Sequence, residues 1–186
     1  MLGFFKDGLN LGVAGFKRIY GQDGKYWTPY LTRVWIGRLR LHIFHRGDAD
    51  EDCHDHPWDF WTFPLTSYVE EVVNGEVARR LHGAGWASGF KDSLVRTREI
   101  VRAFKIHHRP ATHSHRVLGA WDGTIGPVEG LSYEAPRVDL AKQIVTVVWV
   151  SKPKRPWGFL KNRDGKWCWI AWRDYVFNGG KEGPCQ

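Results

Sequence analysis

From Thr32 onward, apolar and polar residues alternate along the chain with the period of two that is typical of β-strands. In the segment 35–45, Leu and Ile alternate with Arg and His, which predicts a strand with one face toward solvent. Residues 59–71 alternate again, and residues 98–107 predict a further strand. The segment 144–150 is apolar at nearly every position and therefore predicts a strand buried on both faces.

Two dipeptides predict tight turns between strands. The Asn-Gly pair at 74–75 lies between β-forming residues and predicts a hairpin with a two-residue loop. The Asp-Gly pair at 164–165 predicts a second hairpin, between residues 157–161 and 167–170. Many short strands with regular turns and little helix predict a single all-β domain, built as a sandwich or a barrel.

Near the N-terminus the apolar period changes to three and four residues, which predicts a helix. The apolar positions of this stretch are Leu2, Phe5, Leu9, Val13, Phe16 and Tyr20. We expect a short helix that packs this stripe on the main body, with a membrane-surface or partner-binding helix as the alternative. The predicted organisation is an N-terminal helical segment over 1–30, a β-barrel over 31–178 and a C-terminal tail over 179–186.

The composition is that of a folded globular chain, because 42% of its 186 residues are hydrophobic and 25% are charged. No run of eighteen uncharged apolar residues occurs, which argues against a membrane span. Residues 1–15 are interrupted by Lys6, Asp7 and four glycines, which argues against a secretory signal. We therefore expect a cytoplasmic protein without membrane association.

The charge and the cysteines narrow the choice of partners and chemistry. The formal net charge of +7 is spread along the chain, which is typical of a solvated surface and argues against a nucleic-acid partner. Cys53, Cys168 and Cys185 are odd in number and lack CxxC spacing, which argues against a disulfide framework. We expect Cys53 to be a small buried residue, with a metal ligand or a redox-sensitive thiol as alternatives.

Two His-x-His pairs carry the strongest chemical signal. His54 and His56 are two residues apart, so on a strand both imidazoles leave the same face. His113 and His115 repeat the spacing where another strand should begin. Neutral imidazole is the commonest transition-metal ligand, so a neighbouring strand that brings His115 or His113 beside the first pair would complete a metal site. The alternative is that these histidines are simply hydrated.

This spacing resembles the cupin superfamily, whose RmlC-like fold is a double-stranded β-helix, or jelly roll. His54 and His56 match the HxH of the first cupin motif. Pro110, followed five residues later by His115, matches the second motif, with Thr112 where glycine is usual. The chain also looks like a set of uncharacterised phage and bacterial cupin-like proteins that share the segment HDHPWDF, here residues 54–60, and a WGF stretch, here residues 157–159.

The resemblance implies an all-β jelly roll with a divalent metal ion, Fe(II) first and Zn, Mn or Ni after it. The implied metal ligands are His54, His56, His115 and Asp59. Asp59 is the carboxylate nearest to the position of the family's Glu, and Glu70 or Glu71 is the alternative fourth ligand. His113 or Tyr68 is expected to shuttle protons.

The implied function is a metal-dependent enzyme of the oxygenase or isomerase type that acts on an unidentified small molecule. Three histidines alone would resemble thiol dioxygenases, whereas an added carboxylate fits other cupin oxygenases and isomerases. Two other functions stay open. One is a non-catalytic module that binds a saccharide, a nucleotide or a phage or protein partner through its eleven tryptophans and basic face. The other is a metal-free sugar epimerase. Cupins often dimerise, so a homodimer is also expected.

Overall fold

The computed structural model describes residues 7–23, 25–78, 86–88 and 95–185, and most of its regular structure is β-strand. The strands are β1 (Asp7–Asn10), β2 (Ala14–Asp23), β3 (Tyr26–Ile36), β4 (Leu39–Phe44), β5 (Cys53–His54), β6 (Phe60–Pro64), β7 (Tyr68–Val73), β8 (Trp86–Ser88), β9 (Arg96–Val101), β10 (His107–Arg109), β11 (His115–Gly126), β12 (Ala135–Asp139), β13 (Ile144–Val150), β14 (Gly158–Arg163) and β15 (Lys166–Ala171). A short helix, α1 (Trp172–Phe177), follows the last strand.

The strands form two curled antiparallel sheets that together make a half-barrel. The first sheet has the order β1-β2-β3-β4-β13-β6-β10, and the second has the order β8-β15-β14-β5-β11-β7-β9, with β12 beside β11. Neighbours in space are mostly distant in sequence, as when β13 lies between β4 and β6. This arrangement confirms the predicted all-β fold class and is consistent with a jelly roll.

The predicted turns had two different outcomes. The Asp-Gly hairpin is confirmed, because β14 pairs with β15 across Asp164 and Gly165, which have φ angles of 53° and 77°. The Asn-Gly hairpin is wrong. Asn74 instead begins a helical turn over 75–78, where its Oδ1 accepts the Glu76 N–H at 2.9 Å and its carbonyl accepts the Ala78 N–H at 2.9 Å. Asparagine is favoured both at helix N-caps and in hairpin loops, so the Asn-Gly pair alone could not distinguish a helical turn from a hairpin.

The predicted N-terminal helix is wrong over residues 7–23, whereas residues 1–6 lie outside the described ranges. Here β1 and β2 form an antiparallel hairpin that continues the first sheet through β3. Two glycines explain the difference. A Cβ atom on Gly8 would collide with the Phe16 carbonyl, and one on Gly15 would collide with the Trp35 ring. The glycines that weakened the helical pattern are therefore positions where strands approach closely.

Buried side chains fill the interior in clusters on and between the sheets. One cluster surrounds the fully buried ring of Trp167 and includes Leu160 and Cys53, both with 0% exposure. The expectation that Cys53 is a small buried residue is confirmed, and burial raises the pKa of its thiol. A second cluster, around Tyr68, joins β7, β9, β11 and β13.

The C-terminal residues are attached to the second sheet by covalent and polar contacts. Cys168 and Cys185 form a disulfide with their Cα atoms 5.6 Å apart, so the expectation against disulfides is wrong for this pair. The chain reverses direction after α1, so that residue 185 lies beside β15. The spacing of the cysteines in the sequence does not show this reversal. The ammonium of Lys161 donates to the carbonyls of Gly180, at 2.5 Å, and Gly183. Disulfides are typical of oxidising compartments, which contrasts with the predicted cytoplasmic location.

The helices offer no membrane-spanning segment: within the described ranges, each is too short or too polar to cross a bilayer.

Replacement of Leu160 by alanine should lower the free energy of unfolding by about 2–5 kcal/mol, because it leaves a cavity in the Trp167 cluster. Leu140 is the matched control, because its side chain is 69% exposed and its replacement by alanine should change stability by less than about 0.5 kcal/mol. Urea unfolding followed by circular dichroism measures both. Similar losses in the two variants would contradict this description of the core.

Candidate metal centre

A cavity of about 610 Å³ lies between the two sheets. Its walls are largely apolar and come from β2, β3, β4, β6 and β13 of the first sheet and from β5, β7, β11 and β14 of the second. The apolar lining includes Leu31, Phe44, Val117, Val148 and Phe159. His54, His56 and His115 also line it, so all three sequence-predicted imidazole ligands face one space.

Strand pairing brings the two histidine motifs together. His54 ends the two-residue strand β5, which pairs on one side with β11 at His115 and on the other with β14 at Phe159. His56 follows in the next loop, where its N–H donates to the Ala111 carbonyl at 3.1 Å. Because β5 is held between two longer strands, segments 59 positions apart are fixed beside each other.

The three imidazoles are close enough to share an ion. His56 Nε2 lies 2.9 Å from His115 Nε2. The His54 ring centroid is 5.2 Å from that of His56 and 5.3 Å from that of His115. One ring nitrogen from each histidine lies within 4.8 Å of the others. The structure therefore brings together the predicted ligands His54, His56 and His115 in a group that could hold a metal ion.

A second group shares His115 and is centred on Glu70 of β7. The Glu70 side chain is fully buried, and its Oε1 lies 2.8 Å from His115 Nδ1, although that contact falls short of a linear hydrogen bond. The Tyr68 hydroxyl donates to Oε1 at 3.1 Å, and Arg109 donates to Oε2 at 3.2 Å. His113 Nε2 lies 3.4 Å from Oε2. Both residues predicted to move protons, His113 and Tyr68, are thus placed around Glu70.

Burial controls the protonation of these groups. It lowers the pKa of His54 and, more strongly, of His56, and neighbouring imidazoles lower it further. Burial also lowers the pKa of His113 to about 4. At neutral pH His54, His56 and His113 are therefore uncharged. For His54 and His56 this is the state that metal ligation requires.

The acidic groups of the site have shifted pKa values as well. Burial alone would raise the pKa of Glu70, but His115, His113 and Arg109 outweigh it and hold the pKa well below its usual value. Glu70 is therefore a carboxylate at neutral pH. Burial and the Glu70 charge raise the pKa of Tyr68 well above its usual value, so the phenol stays neutral and acts as a donor.

The structure does not bring Asp59 into either group found among the described residues. Its carboxylate accepts the Ala111 N–H at 2.7 Å and the Lys154 ammonium at 2.5 Å. Ala111 also accepts the N–H of His56, so Asp59 supports the loop on which His56 rests. Glu71, the other alternative ligand, forms an ion pair with Arg116 at 2.8 Å. Adjacent residues of a strand point to opposite faces, so Glu71 points away from the site that Glu70 faces.

Asp55 is a structural residue of the site that the sequence analysis did not identify. It lies between the two histidines, is fully buried and points away from them. Its carboxylate accepts the Gly158 N–H at 2.8 Å and the Trp169 indole N–H at 2.8 Å, and it pairs with Arg155 at 3.0 Å. The signal that could have found it is its position between two ligands, which turns it toward the protein interior and requires partners there.

Comparisons with known proteins add little to this geometry. No protein-family model and no curated protein matches the chain. Among solved structures, the chain is similar to the crystal structure of AerE from Microcystis aeruginosa, with 16% sequence identity and a TM-score of 0.29. The similarity covers 86% of this chain and 54% of the AerE chain, so the chain spans about half of AerE. A similarity this distant carries no argument about function.

Replacement of Asp55 by asparagine should destabilise the fold by roughly 3 kcal/mol, because it removes the charge that Arg155 faces and leaves buried donors poorly matched. Asp164→Asn is the control. It makes the same chemical change at an exposed turn, where asparagine also accepts a positive φ, and should alter stability by less than about 0.5 kcal/mol. Urea denaturation compares the two. Equal stability of the two variants would show that Asp55 does not anchor the histidine segment.

Proposed function

We propose that this chain is a metal-binding, cupin-like protein in which His54, His56 and His115 hold one divalent ion. The observation that carries the proposal is the convergence of three imidazole nitrogens within 4.8 Å on the wall of a 610 Å³ cavity. Hydrated surface histidines would not be expected to face one another in this way. The resemblance of both histidine motifs to the cupin motifs supports the same assignment.

Glu70 is assigned to the orientation of His115 rather than to metal ligation. Its carboxylate is already surrounded by Tyr68, Arg109 and His113, and its contact with His115 is to Nδ1. The Nε2 atom of His115, which faces His56, is then the metal-binding nitrogen. A carboxylate on the second nitrogen of a ligating imidazole fixes the ring and increases its basicity.

The donor set suits a transition metal. With Asp59 bound to Ala111 and Lys154, the proposed ligands are three imidazoles, which favour Fe, Zn, Ni and Cu over Mg or Ca. Fe(II) is our first candidate, followed by Zn, Mn and Ni, and the family resemblance sets this order. A bound ion with an open position would polarise an oxygen-bearing substrate or, if it is iron, bind dioxygen.

We infer that the protein is an enzyme of the oxygenase or isomerase type with a small-molecule substrate. The cavity volume falls within the range of about 300–1,000 Å³ that is usual for small-molecule sites, and its walls would exclude water from the ligand. Tyr68 lines the cavity and donates to Glu70, which also contacts His113. We assign proton movement to this continuous path from the cavity wall.

A metal-free binding module is the second candidate function. Trp157 lines the cavity and stacks on Trp172, with the two rings 5.6 Å apart and inclined by 8°. Stacked indoles at a cavity wall favour flat or ring-shaped ligands such as nucleotides and saccharides. Metal content separates the two functions.

Wild-type protein purified without a histidine tag should contain one transition-metal ion per chain. His56→Ala and His115→Ala should each lose it, because each removes one of three ligands. His108→Ala should retain the metal, because His108 is an exposed histidine outside the metal group whose ring contacts Trp61. Elemental analysis by mass spectrometry measures the stoichiometry, and circular dichroism checks that each variant is folded. Metal-free wild-type protein, or equal metal in all variants, would refute the metal site and favour the binding module.

Glu70→Gln should weaken metal binding by about 10–100-fold without abolishing it, because an orienting group is lost and the ligands remain. Glu71→Gln is the matched control: the neighbouring residue faces Arg116, so metal affinity should be unchanged. Competition with a chelator measures both. A complete loss in Glu70→Gln, equal to that in His115→Ala, would instead make Glu70 a ligand.

A further inference from the structure

Two arginines of the first sheet face the same cavity as the three histidines. The register of β3 and β4 places Arg33 opposite His42 and Trp35 opposite Arg40. Arg33, His42 and Arg40 therefore share one face of the sheet, and all three line the cavity. The two guanidinium groups lie on adjacent rows of this concave face.

Among the residues that the structure describes, neither arginine has an acidic partner. Arg33 donates through Nε to His42 Nε2 at 2.9 Å, and the Arg40 guanidinium lies 4.5 Å from the ring centroid of Trp58. Within the described part of the chain, no carboxylate lies at ion-pair distance from either group. Other part-buried arginines do have carboxylates beside them: these are Arg96, Arg109, Arg116, Arg155 and Arg163.

The carboxylates that line the cavity are engaged elsewhere. Asp48 accepts the Tyr30 hydroxyl and the Val117 N–H. Asp50 pairs with Lys181 at 2.9 Å. Lys17 and Arg46 line the cavity as well, so its surroundings on this side are predominantly basic.

The pair carries an electrostatic penalty that an anion would relieve. Burial, together with the neighbouring charge of Arg40, lowers the pKa of Arg33 to about 10. Burial and both guanidinium groups lower the pKa of His42 well below its usual value, so the imidazole is neutral and accepts the Arg33 N–H. A solvated surface cation is stabilised by water. A partly desolvated cation that lacks a carboxylate beside it is instead stabilised when an anion binds to it.

We propose that Arg33 and Arg40 form an oxyanion subsite, so that the cavity binds a small molecule with a carboxylate or phosphate at one end. Guanidinium groups recognise both anions through paired, charge-assisted hydrogen bonds. Phe60 of β6 packs on His56, with the ring centroids 4.8 Å apart. Arg40 lies on β4 and Phe60 on β6, and β13 lies between these two strands, which places their axes about 10 Å apart. The anion at Arg40 and the histidines beside Phe60 would therefore contact opposite ends of a short ligand.

The second half of this inference, that the other end of the ligand meets the metal, rests on the proposed function. The anion subsite itself does not, because none of the residues that form it is a proposed metal ligand. The two can therefore be tested separately.

The test uses metal-free protein titrated with inorganic phosphate and, separately, with acetate, at constant ionic strength set by NaCl. Binding is followed by ¹H–¹⁵N NMR of backbone and side-chain signals. Wild type should show saturable binding of at least one anion, with the affinity tenfold or more weaker in Arg33→Gln and in Arg40→Gln and lost in the double variant. Arg38→Gln, at an exposed position in the turn before β4, is the matched control and should bind as wild type does.

The two anions identify the ligand class. Binding of phosphate alone points to a phosphorylated ligand, binding of acetate alone points to a carboxylate, and binding of both supports an oxyanion site of broad selectivity. If a glutamine variant does not fold, Arg33→Lys and Arg40→Lys retain the charge but lose the planar fork, and should bind several-fold more weakly.

No saturable binding of either anion, or equal binding in the double variant, would overturn the subsite. His56→Ala should lose metal but keep anion binding, whereas the double arginine variant should lose anion binding but keep metal. Wild-type protein that contains no metal as purified, and yet binds phosphate through Arg33 and Arg40, would refute the proposed function and leave the subsite intact.

Discussion

The candidate site depends on the pairing of a two-residue strand, β5, between β11 and β14. Two residues form few hydrogen bonds, so β5 needs further support to remain in register. Asp55 supplies it on the next residue, through the Gly158 N–H, the Trp169 indole and Arg155. The interior face of this segment thus fixes the sheet, while the histidines on either side of Asp55 face the cavity.

A second constraint acts from the far side of His115. Glu70 is buried without exposure and would destabilise the fold if it were alone, because an isolated buried carboxylate is strongly disfavoured. Arg109 from the first sheet compensates it, so the pair also ties the two sheets together beside the cavity. While Arg109 binds Oε2, the Oε1 atom of the same carboxylate accepts the Tyr68 hydroxyl and lies 2.8 Å from His115 Nδ1. Packing of the sheets and orientation of the imidazole are therefore one arrangement.

The sequence predicted the fold class and the histidine cluster because each had a local signal. Period-two alternation predicted strands, and the repeated His-x-His spacing pointed to two strands whose imidazoles converge. The remainder lacked such a signal. The three- and four-residue spacing near the N-terminus suggested a helix. The close approach of Gly15 to Trp35, which belongs to the strands found there, depends on tertiary structure and leaves no trace in the local pattern. Glu70 could not be chosen over Asp59, because only strand pairing decides which carboxylate lies beside His115.

The disulfide between Cys168 and Cys185 limits how far the residues after β15 can separate from the second sheet. It closes a loop of 17 residues that contains α1. In the chain-entropy account, such a link lowers the entropy of the unfolded chain and so adds about 3 kcal/mol to the free energy of unfolding. Terminal segments normally fray first, but here residue 185 can separate from β15 only if the sulfur bridge is reduced or the strand itself moves. A protease that cuts within this loop would leave both fragments joined, so the nick would become visible on a gel only after a thiol reagent is added.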